Sequence, residues 1–163
     1  GSVSAPKPHG VRIIPIESAL DLYSVMMQEC ETKDIIIQAA AVADYRPAVV
    51  ADEKIKNTDE DMSIPLERTK DILKYLGEHK KEGQFLCGFS METENMLKNS
   101  MDKLKKKNLD MIAANNLKVE GAGFKSDTNV LTLITDNGVK ELKLMSKKQS
   151  AMELLDCIAE LIS

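Results

Sequence analysis

At 163 residues the chain suits one domain built around one core. Its formal net charge of −4 leaves no basic excess to neutralise the phosphates of a nucleic acid, and three Phe, three Tyr and no Trp make a poor platform for stacked bases. No apolar run approaches the roughly 20 residues of a membrane span, and no signal peptide opens the chain, so neither a membrane nor a secreted setting is expected.

Cys30, Cys87 and Cys157 are isolated, odd in number and set in apolar pattern, the usage of reduced core thiols in a cytoplasmic protein. His9 and His79 are too few and too far apart to build a metal site with them.

Val11-Arg12-Ile13-Ile14-Pro15-Ile16 predicts a short buried strand. Ser18, with Asp21 three residues on, reads as an N-cap followed by an acidic first turn. Leu22, Val25, Met26 and Cys30 then recur at helical spacing, which predicts an amphipathic helix from Ala19 to about Glu31. Asp34 to Ala43 is a run of apolar and small residues, β-branched at its start; it fits a central parallel strand covered on both faces and broken by Tyr45-Arg46-Pro47.

Residues 48–68 differ in character. Lys54-Ile55-Lys56 and Ser63-Ile64-Pro65-Leu66-Glu67 alternate polar and apolar around the acidic turn Asp59-Glu60-Asp61, which predicts a two-stranded ribbon with one apolar face and Pro65 on an edge. Thr69 is expected to cap a helix that turns Ile72, Leu73 and Leu76 inward. Phe85 to Phe89 predicts a buried strand, and a long helix follows to Asn108 with Leu97, Met101 and Leu104 on its inner face. Met111 to Ala114 is a further short buried strand. Val130–Ile134 and Val139–Leu144 flank Asp136-Asn137-Gly138, a strong hairpin signal. Ser146 with Gln149 forms a capping box for the last helix, along which Ala151, Leu154, Leu155, Ile158, Ala159 and Ile162 make an apolar stripe. Strands alternating with helices predict an α/β domain with a mostly parallel sheet and an appended antiparallel hairpin.

In such sheets ligands bind beyond the carboxyl ends of the strands. Asp44, the pair Glu92-Thr93 and the pair Asn115-Asn116 fall just past three predicted strands. A carboxylate there can hold a ribose hydroxyl or a divalent cation; Asp44 can equally well just start a turn. Lys103 and Lys107, four apart, share a helix face and suit a polyphosphate, or else complement the negative end of the helix dipole. The one Gly-x-Gly, Gly121-Ala122-Gly123, precedes no helix and reads as a loop rather than a phosphate-cradling turn.

Taken together, Ala39-Ala40-Ala41-Val42-Ala43-Asp44-Tyr45-Arg46-Pro47, Lys54-Ile55-Lys56 and Thr69-x-Asp71-Ile72-Leu73 resemble bacterial phosphopantothenoylcysteine synthetase. Gly88-Phe89 with Glu92-Thr93, the run from Lys103 to Ala114, and Phe124-Lys125-Ser126-Asp127-x-Asn129 extend the resemblance over nearly the whole chain from about Val11. The resemblance implies a Rossmann-like three-layer α/β domain, with a mostly parallel sheet, a protruding β-ribbon, and a C-terminal hairpin plus helix. Residues 1–163 would form a single synthetase domain lacking the family's first strand and Gly-rich turn, with 48–68 as a dimerisation flap.

The activity it implies belongs to coenzyme A biosynthesis. The carboxylate of 4′-phosphopantothenate attacks the α-phosphate of CTP, releasing pyrophosphate, and the amine of cysteine then displaces CMP from the acyl-cytidylate. Magnesium accompanies the triphosphate, and no tightly bound organic cofactor is expected in this part.

Carried over by position, the nucleotide-contacting set is Gln38, Ala39, Ala40, Asp44, Lys54, Lys70, Asp71, Ile72, Leu73, Phe89, Lys103 and Lys107, with Lys54 as the catalytic cation. Lys70 stands where the family usually has Pro, and Gln38 where many members have Gly. The family's habits further imply a homodimer and, often, an upstream flavin-dependent decarboxylase domain in the parent chain. A chain without the upstream elements is expected to be inactive alone. The competing readings are a nucleotide-binding or regulatory module without catalysis, and a purely structural α/β domain.

Overall fold

The computed structural model describes residues 6–56, 61–92, 94–116 and 126–163. In chain order the elements are α1 (Ala19–Glu29), a 3-10 turn (Cys30–Thr32), β1 (Ile35–Gln38), β2 (Tyr45–Pro47) and β3 (Leu66–Arg68). There follow α2 (Ile72–Glu78), β4 (Phe85–Glu92), α3 (Met96–Lys106), β5 (Met111–Asn116) and β6 (Thr128–Asn129). The chain ends with β7 (Leu131–Thr135), β8 (Gly138–Glu141), β9 (Met145–Ser146) and α4 (Lys147–Ile162). Two compact units result: Gly1–Glu29 with Ala41–Ile72, and Cys30–Ala40 with Leu73–Ser163.

In the first unit, Ser18 and Asp21 cap α1 reciprocally: the Asp21 carboxylate accepts the Ser18 N–H at 2.8 Å and the Ser18 hydroxyl accepts the Asp21 N–H at 3.1 Å. These backbone and hydroxyl hydrogen bonds hold the Asp21 carboxyl below its usual range. Arg12 forms an ion pair with Glu29 at the far end of α1. The strand expected over Val11–Ile16 is not formed, and Val11 and Ile13 are exposed. β-branched sequence favours extended backbone, but a strand exists only with a neighbour to pair with.

The ribbon is also displaced from its expected place. It pairs β2 with β3 antiparallel, whereas Lys54-Ile55-Lys56 lies outside any strand. Its register is set by side-chain pairs on both faces. Arg46 sits opposite Glu67, with Nε 2.7 Å from Oε1, and Arg68 sits opposite Tyr45, with its guanidinium 5.3 Å from the ring centroid. The Ala48 N–H donates to the Pro65 carbonyl at 2.9 Å and prolongs the ladder past Pro47. The turn expected at Asp59-Glu60-Asp61 falls largely outside the described residues.

Thr69 does not cap α2, which begins three residues later; its hydroxyl donates to the Ala43 carbonyl and its N–H to the Asp44 carbonyl at 2.9 Å. The inward set of α2 is as expected, with Ile72, Leu73 and Leu76 buried.

The second unit carries a five-stranded sheet in the order β1-β4-β5-β7-β8. β1, β4 and β5 are parallel, and β7 and β8 are antiparallel. β1 therefore lies at one end of the order among the described strands. It is only four residues long, not the central strand expected over Asp34–Ala43. β4 fills the position between two parallel neighbours, and its residues Phe85–Gly88 are buried.

On one face of this sheet Phe85, Cys87, Met111, Ala113, Leu131 and Leu133 pack with Leu154 and Ile158 of α4. On the other, Ser100 and Leu104 of α3 are buried, and the Ser90 and Ser100 hydroxyls meet at 2.9 Å. Leu97, expected inside, is 46% exposed because the buried line of α3 runs through positions 100 and 104, four apart.

At the C-terminal end, Ser146 and Gln149 form the predicted capping box. The buried line of α4 is Ser150, Leu154 and Ile158, so Leu155 and Ile162 of the expected stripe stay exposed. The hairpin loop is Asp136-Asn137, with Gly138 already pairing Thr135 at φ 153°. Asn137-Gly138 is thus not the central pair of the turn.

Candidate functional site

The parallel strands bring three carboxyl ends to one edge of the sheet in the second unit. Register places Gln38 beside Gly88, Met91 beside Asn115, and Glu92 beside Asn116. Side chains alternate along a strand, so Glu92 lies on the α3 face of β4 and Phe89 on the opposite face. Phe89 packs partly against the apolar cluster that includes Cys87 and Ala113. Gln38 Oε1 and Asn115 Oδ1 are buried without a hydrogen-bond partner among the described residues.

Glu92 is the best-organised polar group at this edge, and its partner is one of the two predicted phosphate lysines. Lys103 Nζ lies 2.6 Å from Glu92 Oε1, and Asn99 Nδ2 lies 3.1 Å from Oε2. Burial acts to raise the Glu92 carboxyl, but the hydrogen bonds from Lys103 and Asn99, with the Lys103 charge, outweigh it and hold the group below its usual range. Lys103 is thus not a bare cation waiting on a helix face.

Lys107 is the C-cap of α3, its N–H donating to the Lys103 carbonyl at 3.0 Å. The two lysines sit one turn apart at a helix end, the position that favours cations on dipole grounds. Ala39 and Ala40 follow β1 and are exposed. Leu73 is 7% exposed, so only its backbone can meet a ligand.

In the first unit, Asp44 is exposed just before β2, and its carbonyl accepts the Thr69 N–H. That bond sets the backbone of Lys70 and Asp71 beside the Asp44 segment. Lys70 places its ammonium 4.4 Å from the centroid of the Tyr23 ring, in a small cleft lined also by Arg46, Glu67 and Arg68. Ile72 is buried, like Leu73 in the other unit. Lys54 and Lys56 are exposed and not held in the alternating geometry of a strand. The Gly-x-Gly loop, Thr93 and the Phe124-Lys125 start of the Phe124–Asn129 motif lie outside the described residues, while Thr128 and Asn129 form β6 and pair with β9.

The sequence places Glu92 at a strand end as a candidate but not in the nucleotide-contacting set, and gives Asn99 no role. The available signal was a carboxylate at a strand end followed by Asn99 and Lys103 four apart on one helix.

Parallel strands flanked by helices, with polar and charged groups at their carboxyl edge, define an open-sheet α/β protein, a class in which ligands generally bind beyond those ends. A family model described as DNA/pantothenate metabolism flavoprotein C-terminal domain matches residues 1–162. The coenzyme A biosynthesis bifunctional protein CoaBC of Bacillus subtilis (strain 168) is 45% identical over 163 residues, which cover 99% of this chain and 40% of that protein. The protein of the same name from Vibrio vulnificus (strain YJ016) is 40% identical over 164 residues, covering 99% and 41%. The crystal structure of the C-terminal domain of a coenzyme A biosynthesis bifunctional protein CoaBC superposes with a TM-score of 0.79 at 37% identity, covering 98% of this chain and 70% of that one. The chain belongs to the DNA/pantothenate metabolism flavoprotein C-terminal domain family and corresponds to the C-terminal domain of CoaBC. It spans about 40% of the length of the curated relatives it matches.

Proposed function

We propose that this chain is the nucleotide-contacting part of a phosphopantothenate–cysteine ligase that works in the cytoplasm on coenzyme A biosynthesis. CTP activates the substrate carboxylate as an acyl-cytidylate with loss of pyrophosphate. The amine of cysteine then attacks the acyl carbon, CMP departs, and the nitrogen loses a proton as the amide forms. The observation that carries the reading is the carboxyl edge of β1, β4 and β5, where the Glu92–Lys103 pair stands at the strand ends of a chain that matches the CoaBC C-terminal domain.

In the second unit we assign nucleotide contacts to Gln38, Ala39 and Ala40, to the Leu73 backbone, to Phe89, and to Lys103 and Lys107. In the first unit we assign them to Asp44, Lys54, Lys70, Asp71 and the backbone of Ile72. Phe89 offers an aromatic edge or face to a flat base. Lysine ammonium groups offset the charge of a triphosphate. Magnesium enters with the triphosphate, whose oxygens supply its principal ligands; no protein ligand is assigned to it. Lys54 is assigned to charge developing at the α-phosphate, the electrostatic work that dominates nucleotidyl transfer. The parent chain is taken to carry a flavin-dependent decarboxylase upstream, and the working assembly to be a homodimer.

The test is Lys54→Ala in a chain extended to the length of the CoaBC relatives. Quench-flow measurement of acyl-cytidylate formation should fall by a factor of about 10² to 10³, the usual effect of losing one charge-stabilising donor. An unchanged first half-reaction removes Lys54 from this role.

A further inference from the structure

Glu92 ends β4, the strand with parallel neighbours on both sides, and its side chain is only 12% exposed. Among the described residues each carboxylate oxygen has one side-chain donor: Lys103 Nζ on Oε1 at 2.6 Å and Asn99 Nδ2 on Oε2 at 3.1 Å. The same Asn99 nitrogen donates to the Glu94 carbonyl at 3.1 Å, so the amide is itself anchored to backbone. Asn99 and Lys103 are one turn apart on α3 and share a face. Lys103 remains 46% exposed, and an ammonium has three donors. A mostly buried carboxylate requires a partner, whereas an exposed lysine does not require this particular one. The asymmetry makes Glu92 the fixed post and Lys103 the arm tied to it.

We infer that Glu92, braced by Asn99, is a positioning residue that holds the Lys103 ammonium at the carboxyl edge of the sheet with donors left for the phosphates of a nucleotide. The inference rests on the reading of Lys103 as a nucleotide contact given above. Ordering a long side chain in advance removes the rotamer entropy that binding would otherwise have to overcome. The sign of the effect separates this role from a plain charge effect. Removing a nearby negative charge, taken alone, strengthens attraction for a triphosphate, whereas loosening Lys103 weakens it.

The test is a set of titrations of a chain extended to the length of the CoaBC relatives, with CTP and magnesium and separately with cytidine. The wild type, Glu92→Gln, Asn99→Leu, Lys103→Met and the Glu92→Gln/Lys103→Met pair are compared. Glu92→Gln should weaken CTP about threefold to tenfold, less than the loss of the charged contact itself because Lys103 is loosened and not removed, and leave cytidine unchanged. Asn99→Leu keeps the carboxylate and should act in the same direction, so it carries the test if Glu92→Gln does not fold. Glu92→Gln should cost nothing further once Lys103 is Met. Carboxyl titration should show Glu92 released towards its usual range in Lys103→Met.

Unchanged or tighter CTP binding in both Glu92→Gln and Asn99→Leu, with Lys103→Met impaired, overturns the positioning role and leaves Lys103 as a contact. If Lys103→Met binds CTP as well as the wild type, or the wild type shows no saturable CTP response, the reading of Lys103 fails and the positioning role fails with it.

Discussion

A Cβ on Gly77 would stand 1.7 Å from the carbonyl oxygen of Lys107, which packs against α2 directly at that point. The contact is reciprocal, because the Asn108 side chain donates to the Gly77 carbonyl at 2.8 Å while Asn108 holds φ at 51°. The C-terminal end of α3, which carries Lys103 and Lys107, is thereby seated on α2 through backbone rather than through long side chains.

Gly77→Ala follows directly from this contact. Helix propensity alone favours alanine by roughly 1 kcal/mol. The clash is with a backbone oxygen that cannot rotate away, so overpacking near the upper end of its usual range of about 1–3 kcal/mol should win. The thermal midpoint is expected to fall by about 5 °C or more, at roughly 2–4 °C per kcal/mol for a chain of this size. A midpoint that stays level or rises shows that α2 and α3 can part without loss.

Asp110 supports a second expectation. Its carboxylate takes Lys80 Nζ on Oδ1 at 2.8 Å and the Leu86 N–H on Oδ2 at 2.7 Å, and its own N–H donates to the Leu86 carbonyl at 3.0 Å. Lys80 is mostly buried, with 15% of its side chain exposed, and Leu86 is buried. Asp110→Ala strands a partly buried ammonium and a buried N–H together. The cost should be about 2–4 kcal/mol, read from urea unfolding as a lower midpoint at unchanged slope. Asp110→Asn, which can still accept from Leu86, should lose less. Equal losses in the two variants would mean that the Leu86 bond contributes nothing.

These two contacts show what a local reading misses. β4, β5, α1 and the Ser146 capping box were legible because each is written in a short window: an apolar run, a 3.6-residue period, or a cap four residues wide. β1 was placed in the middle of the sheet because Ile35–Ile37 is fully apolar, yet it stands at one end of the strand order. Apolarity reports burial and not neighbours. The ribbon was assigned to Lys54-Ile55-Lys56 on alternation, while the actual pairing of Tyr45–Pro47 with Leu66–Arg68 depends on matches across some twenty residues, Arg46 with Glu67 and Tyr45 with Arg68. Thr69 looked like a helix cap because its side chain suits one. Its hydroxyl is instead used by Ala43, a partner far away in sequence. The strand-end location of the candidate site was legible for the same reason as the strands. The Glu92–Asn99–Lys103 arrangement was not, because it needs the rotation of α3 over β4.

The third prediction concerns assembly. Ile55, Ile64 and Leu66 are about 60% exposed (61%, 58% and 59%), and Val49 and Val50 still more so. Large apolar side chains left this exposed and close together in sequence are candidates for a contact site, and a two-stranded ribbon is marginal on its own in water. A homodimer that buries these side chains is expected. Ile64→Asp should yield monomers by light scattering at low micromolar concentration, with little change in the stability of the sheet. Dimers that persist in this variant place the contact elsewhere.

The last prediction is that the 163-residue polypeptide by itself folds, binds CTP weakly and does not turn over. Folding is expected because the sheet of the second unit is covered on both faces, by α4 on one side and by α3 on the other, with Leu86, Met111, Ile112, Leu133 and Ile134 almost wholly buried. Turnover is not expected, because these residues cover only 70% of the solved CoaBC C-terminal domain. The family resemblance assigns to the remainder the Gly-rich turn and the Asn/Ser-rich segment that hold phosphates. Each charge-assisted phosphate contact contributes about 1.5–3 kcal/mol. Two missing contacts at the low end of that range, about 3 kcal/mol together, already correspond to a factor above 10² in affinity. CTP should therefore bind at least a hundredfold more weakly than to a chain extended to the length of the relatives, as read by calorimetry with magnesium present. The groups assigned above to the base and ribose, Asp44 and Phe89 among them, belong to this chain, so cytidine should bind the two chains about equally. A pyrophosphate-release assay with 4′-phosphopantothenate and cysteine should give no signal above background. Pyrophosphate release near the rate of the extended chain would show that the residues present here hold the triphosphate unaided, and the assignment of phosphate binding to the remainder of the domain would have to be abandoned.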